Sequence, residues 1–93
     1  MELMYNGEGD FMERITKKNE AGIEVNNIDE ALERLSMFED FYFDLIRQQE
    51  EISRQMKEMQ ENAQTRQYHY REISAQKVTN NVIINILKRY GIK

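Results

Sequence analysis

From Ile28 onward the chain repeats apolar positions at alternating spacings of three and four. The row runs Ile28, Ala31, Leu35, Phe38, Tyr42, Leu45, Gln49, Ile52, Met56, Met59 and Ala63, with the polar Gln49 as its one interruption. That period is the signature of an α-helix laid along a partner helix in a left-handed coiled coil. With Ile28 at position a, Leu35, Tyr42, Gln49, Met56 and Ala63 share that position, and Ala31, Phe38, Leu45, Ile52 and Met59 take position d. The spacing predicts one helix of about 35 residues, about 50 Å long. Asn27 is placed to accept from the amides of its first turn, Glu30 to reach back to it, and Asp29 and Glu30 complement the positive helix end.

The seam changes along its length. Leu32 and Ile46 at e and Phe41 at g widen it to a broad face in the first half, which suits a bundle. The second half keeps the narrow a/d stripe of a two-helix contact. Gln49 at an a position is the kind of polar interruption that fixes register or strand number.

Between Asn62 and Gln67 the phase is lost, because Ala-Gln-Thr-Arg-Gln offers no aliphatic anchor. A turn or short extended stretch is expected there, followed by a second helix from about Tyr70 that carries Ile73, Val78, Val82, Ile83, Ile86, Leu87 and Tyr90; a single unbroken helix is the alternative, since no glycine or proline forces a stop. Its last turns are apolar on more than one side and so require several packing neighbours. Lys88 and Arg89 suit the negative helix end, Gly91 the left-handed position after it, and Ile92 the contact with Leu87 that closes a Schellman ending.

The first 26 residues read as an arm. Asn6-Gly-Glu-Gly-Asp10 is turn material, and Asp10 with Glu13 has capping-box spacing, which predicts a short helix from Phe11 to about Lys18. Phe11, Met12 and Ile15 would pack it as a flap, Ala21-Gly22 would end it, and Ile23-Glu24-Val25 would be extended or irregular. The domain organisation is thus an arm over 1–26 and a helical hairpin over 27–93, of all-α class. Ninety-three residues bury little core alone, so the expected assembly is a homodimer forming a four-helix or coiled-coil bundle.

Composition supports this picture. Proline is absent, and between Ile23 and Tyr90 there is no glycine either, so nothing vetoes long helices. The lack of cysteine excludes disulfides, thiolate metal sites and a cysteine nucleophile. No apolar run is long enough to cross a bilayer, and the N-terminus lacks the basic and apolar regions of a signal peptide, which together predict a cytoplasmic location.

The net charge of −4 conceals a division: residues 1–62 hold 7 Lys/Arg against 16 Asp/Glu, and residues 63–93 hold 6 against 1. Facing antiparallel helices, in one chain or between two, would bring these opposite charges together. A basic tail for nucleic acid is the alternative, although an acidic chain lacks the overall field usual for that role.

Catalytic chemistry is not signalled. His69 is the only histidine and reads as a solvated turn residue, and no phosphate-cradling or nucleophile motif occurs. No cofactor, metal or small-molecule substrate is expected, nor a membrane partner. The dense run Phe38-Glu-Asp-Phe-Tyr-Phe-Asp44 places acids beside aromatics, and Glu39, Asp40, Phe41, Phe43 and Asp44 are the candidate partner-binding residues. Asp40 and Asp44 lie one turn apart, a like-charge pair that a basic partner would relieve. The nucleic-acid alternative rests on Arg66, Tyr68, Tyr70, Arg71 and Lys77, where aromatics interleave with base.

Two stretches, Ala31-Leu-Glu-Arg-Leu-Ser-Met-Phe-Glu-Asp40 and Arg71-Glu-Ile-Ser-Ala-Gln-Lys77 continuing through Asn80 to Gly91, resemble small helical proteins of bacteriophages and mobile elements of Gram-positive bacteria. That resemblance implies an accessory role, such as binding and inhibiting a host protein like a defence nuclease, and carries over no site residues. The expected function is non-catalytic binding of a macromolecule, with a nucleic-acid accessory factor and a purely structural coiled-coil scaffold as the alternatives.

Overall fold

The computed structural model describes residues 3–5 and 11–93, with side-chain surroundings from Glu13 onward. Six elements follow in order: β1 (Leu3–Tyr5), β2 (Phe11–Glu13), β3 (Thr16–Asn19), β4 (Gly22–Val25), α1 (Ile28–Glu61) and α2 (Tyr68–Arg89). The chain divides into two units, Met1–Asp40 and Phe41–Lys93.

In the first unit the expected short helix does not form. Residues 11–13 and 16–19 are strands, so the all-α class holds for the two long helices and not for the arm. β1 pairs antiparallel with β2, and β3 with β4 in the register Thr16–Val25, Lys17–Glu24, Lys18–Ile23 and Asn19–Gly22. The physical reason lies in the local chemistry. Eight residues are too few to sustain an isolated helix, whereas Thr16, Ile23 and Val25 are β-branched and favour the extended state. Asn19 turns the chain by accepting the Ala21 amide hydrogen on Oδ1 at 2.9 Å. Gly22, at φ +136°, supplies the positive dihedral that Glu20 and Ala21 avoid. Lys17 opposite Glu24 adds a favourable cross-strand pair. Among the arm residues whose surroundings are described, Ile15 is the one that is buried, and its carbonyl accepts the Asn26 amide at 3.2 Å. The Asn6–Asp10 turn and the packing of Phe11 and Met12 lie outside the described residues.

The long helix starts as its cap requires. The Glu30 amide donates to Asn27 Oδ1 at 3.1 Å, and the Ala31 amide to the Asn27 carbonyl at 3.0 Å. α1 then runs 34 residues without interruption. The seam is buried in its second half only: Leu45, Ile52 and Met59, all at d, are buried, and Tyr42, Gln49 and Met56 are half-buried. In the first half Ala31 and Phe38 are half-buried, while Ile28 and Leu35 are exposed at 65% and 53%. Ala63 is not a seam residue at all.

Instead Ala63 ends the helix. It sits at φ +56°, its amide donates to the Gln60 carbonyl at 3.3 Å, and the Gln64 amide donates to the Met59 carbonyl at 2.8 Å. That pair of bonds is a Schellman ending with alanine in the left-handed position usually held by glycine. Residues 62–67 form the turn expected from the loss of phase, and α2 begins at Tyr68, so His69 stands in a helical first turn. The second Schellman ending falls where the sequence places it: Gly91 has φ +84°, its amide donates to the Lys88 carbonyl at 2.9 Å, and the Ile92 amide donates to the Leu87 carbonyl at 3.0 Å.

Within the second unit α1 and α2 make a helical hairpin. Its core near the turn is Ile52, Met59 and Ile73, with Met56 and Tyr70 packed against them. Tyr70 is fixed further by its hydroxyl, which accepts from Gln60 Nε2 at 2.9 Å. Ion pairs do not join the helices. Those of the described residues are local: Asp44–Arg47, Glu51–Arg54, Glu58–Arg54 and His69–Glu72. The Arg54 hydrogen bond holds the exposed Glu51 carboxyl below its ordinary pKa. Expectation and structure differ on α2 as well, because Val78, Val82 and Ile86 remain exposed at 62%, 53% and 44%.

Candidate binding groove

Further from the turn, amides replace apolar packing between the helices. Asn80 on α2 is 1% exposed, the most deeply buried of the described residues. Its Nδ2 donates to Gln48 Oε1 at 2.8 Å and to Gln49 Oε1 at 2.9 Å, and its Oδ1 accepts from Gln76 Nε2 at 2.8 Å. Gln49 Nε2 in turn donates to the Lys77 carbonyl at 3.2 Å and to Asn81 Oδ1 at 2.8 Å. No buried side-chain nitrogen or oxygen among the described residues lacks a partner. Satisfying every group is what makes a polar layer tolerable inside a helix pair.

Beside this layer a groove of about 380 Å³ opens between the helices, lined by Phe41, Asp44, Leu45 and Gln48 of α1 and Gln76, Asn80 and Ile83 of α2. Its lining combines the apolar Phe41, Leu45 and Ile83 with the carboxamides of Gln48, Gln76 and Asn80. Gln48 uses only its carbonyl within the chain and Gln76 only its amino group. Among the described residues the Gln48 amino group and the Gln76 carbonyl thus keep a donor and an acceptor free of protein hydrogen bonds, the pair that a peptide group or another carboxamide requires. Asp44 lies at the edge, already paired with Arg47.

No family model, curated protein or solved structure matches the chain. Its residues alone carry the assignment.

The expected acidic-aromatic patch does not form one face. Phe41 and Phe43 are two residues apart on a helix and project about 200° apart. Phe41 and Asp44 line the groove, whereas Phe43 is 61% exposed elsewhere on α1 and packs edge-on against Tyr42, with ring centroids 5.7 Å apart. Glu39 and Asp40 are exposed on the same helix. Sequence reasoning missed Gln48, Gln76 and Asn80; the legible signal was the polar Gln49 in the apolar row, which called for a polar partner on the facing helix.

The basic residues also separate. Arg66 is in the turn, and Tyr68 and Arg71 are exposed on α2. Tyr70 packs on the Ile52–Ile73 cluster, and Lys77 is half-buried with its carbonyl bonded to Gln49. A second recess of about 270 Å³, near the turn, is lined by Gln55, Glu58, Met59, Gln64, Gln67 and His69. Among the described residues no three His, Cys, Asp or Glu side chains gather to hold a metal ion, and no helix is long and apolar enough to cross a membrane.

Proposed function

We propose that this chain is a non-catalytic binding module whose groove between α1 and α2 takes an apolar side chain from another protein. The observation that carries this reading is the groove's composition, with Phe41, Leu45 and Ile83 beside the carboxamides of Gln48 and Gln76, each of which has an unused hydrogen-bonding group. Apolar walls with a few oriented polar groups are the usual make-up of a recognition cleft. α1 holds ten acidic and four basic residues, so a helix with basic flanks is the favoured guest. In this reading a second copy of the chain completes the bundle. The resemblance to phage proteins makes a host protein of the bacterial cytoplasm the partner class to test first, with inhibition of that protein as the outcome.

The test places a photo-crosslinking residue at Phe41 and, separately, at Phe43, and identifies what each captures from host lysate. A protein captured at position 41 and lost in the Phe41→Glu/Ile83→Glu variant supports the groove. Gel shifts against DNA and RNA at about 50 and 200 mM salt cover the other class of partner, because each phosphate contact releases counterions. Salt-sensitive binding lost on replacing Arg66, Arg71 and Lys77 by Ala would replace the protein-binding reading with a nucleic-acid one.

A further inference from the structure

The groove and the recess near the turn lie on one flank of the hairpin, in the same helical phase. On α1 the groove has Phe41, Asp44 and Leu45 where the recess has Gln55, Glu58 and Met59, each pair 14 residues apart. On α2 the groove has Ile83 and the recess His69, again 14 apart. Fourteen residues are two heptads, or about 21 Å along a helix. Midway, seven residues from either end, stand Gln48 on α1 and Gln76 on α2. Among the described residues each of these carboxamides keeps one hydrogen-bonding group free of protein partners.

Charge follows the same period. Asp44, Glu51 and Glu58 recur every seven residues along this flank of α1, and the three carboxylates share two arginines, Arg54 serving both glutamates. All five side chains are exposed, where ion pairs are weak and a partner's cations can compete.

We propose that one guest helix lies along this flank and anchors in both the groove and the recess. It carries apolar side chains at i and i+14, a carboxamide at i+7 to meet Gln48 and Gln76, and lysine or arginine beside Asp44, Glu51 and Glu58. This rests on the groove proposed above and adds the guest's length, spacing and pattern. The hairpin already uses that pattern on its own contact. α2 presents Ile73, Asn80 and Leu87 to α1, and α1 presents Tyr42, Gln49 and Met56 in return, with Asn80 bonded to Gln49 at the middle layer. An extended guest would cover the same 21 Å in about six residues and bring backbone groups that the flank cannot pair. A helix satisfies its own backbone and returns one side to the flank at every heptad.

The experiment uses synthetic helical peptides of about 25 residues, long enough for two heptads and both ends. They carry leucine at i and i+14, glutamine at i+7 and lysines alongside, and fluorescence anisotropy reads their binding to the full chain. The two-anchor peptide should bind about tenfold or more tightly than one with alanine at i+14, the worth of one buried leucine. Moving the second leucine to i+12 turns it about 200° away and should lose the same factor. Leucine at i+7 should also weaken binding, because it covers Gln48 and Gln76 without pairing them. Glutamates in place of the lysines should weaken it at low salt. On the protein, Gln67→Glu/His69→Glu should reduce the two-anchor peptide to the affinity of the alanine peptide and leave the latter unchanged. Helicity should be retained, since both positions are exposed and acids suit the start of α2.

Equal affinities for the two-anchor, alanine and i+12 peptides, all lost on Phe41→Glu/Ile83→Glu, would overturn the two-anchor guest and leave the groove standing. Binding that survives Phe41→Glu/Ile83→Glu would overturn both. Failure of every peptide to bind would overturn the two-anchor guest, and crosslinking at position 41 then reads the groove separately.

Discussion

Asn80 on α2 donates from Nδ2 to Gln49 Oε1 on α1 at 2.9 Å, and this bond joins the helices at a layer where no apolar contact could fix their register. A leucine slides past a leucine with little change in energy; a carboxamide does not slide past a carboxamide. Gln48 and Gln76 complete the arrangement from either side.

Removing two members together should therefore cost less than the sum of removing each alone. Asn80→Ala leaves two carbonyls and one amino group of the layer unpaired and should destabilise by about 2–3 kcal/mol. Asn80→Leu combined with Gln49→Leu should cost less than the sum of the single substitutions, with a coupling of about 1–2 kcal/mol in a double-mutant cycle followed by urea unfolding. Additive losses would show that the layer does not act as a unit.

Ala63 holds a left-handed conformation that costs an L-residue with a Cβ about 1–2 kcal/mol. Ala63→Gly should accordingly raise the unfolding midpoint by an amount worth about 1 kcal/mol, and Ala63→Val should lower it. Thermal unfolding followed by circular dichroism reads both.

The start of α1 depends on a single side-chain oxygen. Asn27→Ala removes the acceptor of the Glu30 amide and should cost about 1 kcal/mol, while Asn27→Asp should retain the cap. Unfolding curves of the two variants give the comparison.

Along the hairpin, burial predicts which substitutions matter. Ile52, 5% exposed, has no partner for a charge, so Ile52→Asp should cost several kcal/mol or prevent folding. Glu50→Gln, exposed on the same helix, should change chain stability by no more than about 0.5 kcal/mol. Similar losses at both positions would contradict the observed phase of α1.

Much of this architecture is legible in the sequence because it follows from periodicity and from end signals. Asn27, the loss of phase after Asn62, and Gly91 with Ile92 place the helix boundaries to within two residues. The arm was not legible in the same way. Asp10 and Glu13 mimic a helix start, and only the Asn19–Gly22 turn, whose geometry depends on a side-chain oxygen and a positive φ, shows that strands win. Periodicity also marks more apolar positions than one hairpin buries: Ile28, Leu35, Val78 and Val82 fit a seam yet stay exposed. The groove was half legible. Phe41 and Asp44 stand out in the sequence by their chemistry, but that Asn80 and Gln76 meet Gln48 depends on the length of the turn, which fixes the pairing of helices that spacing alone leaves free.

The turn at residues 62–67 also sets the order in which the hairpin forms and opens. The Gln60–Tyr70 bond joins residues 10 apart, Gln49–Lys77 residues 28 apart, and Asn80–Gln48 residues 32 apart. Each contact, once made, shortens the free loop that the next must close, so pairing advances outward from the turn at small entropic cost. Opening runs in reverse. Native-state hydrogen exchange should show protection highest in the amides around Met59 and Ile73 and falling in steps toward Tyr42 and Leu87, so that the groove lies in the part of the hairpin that breathes first.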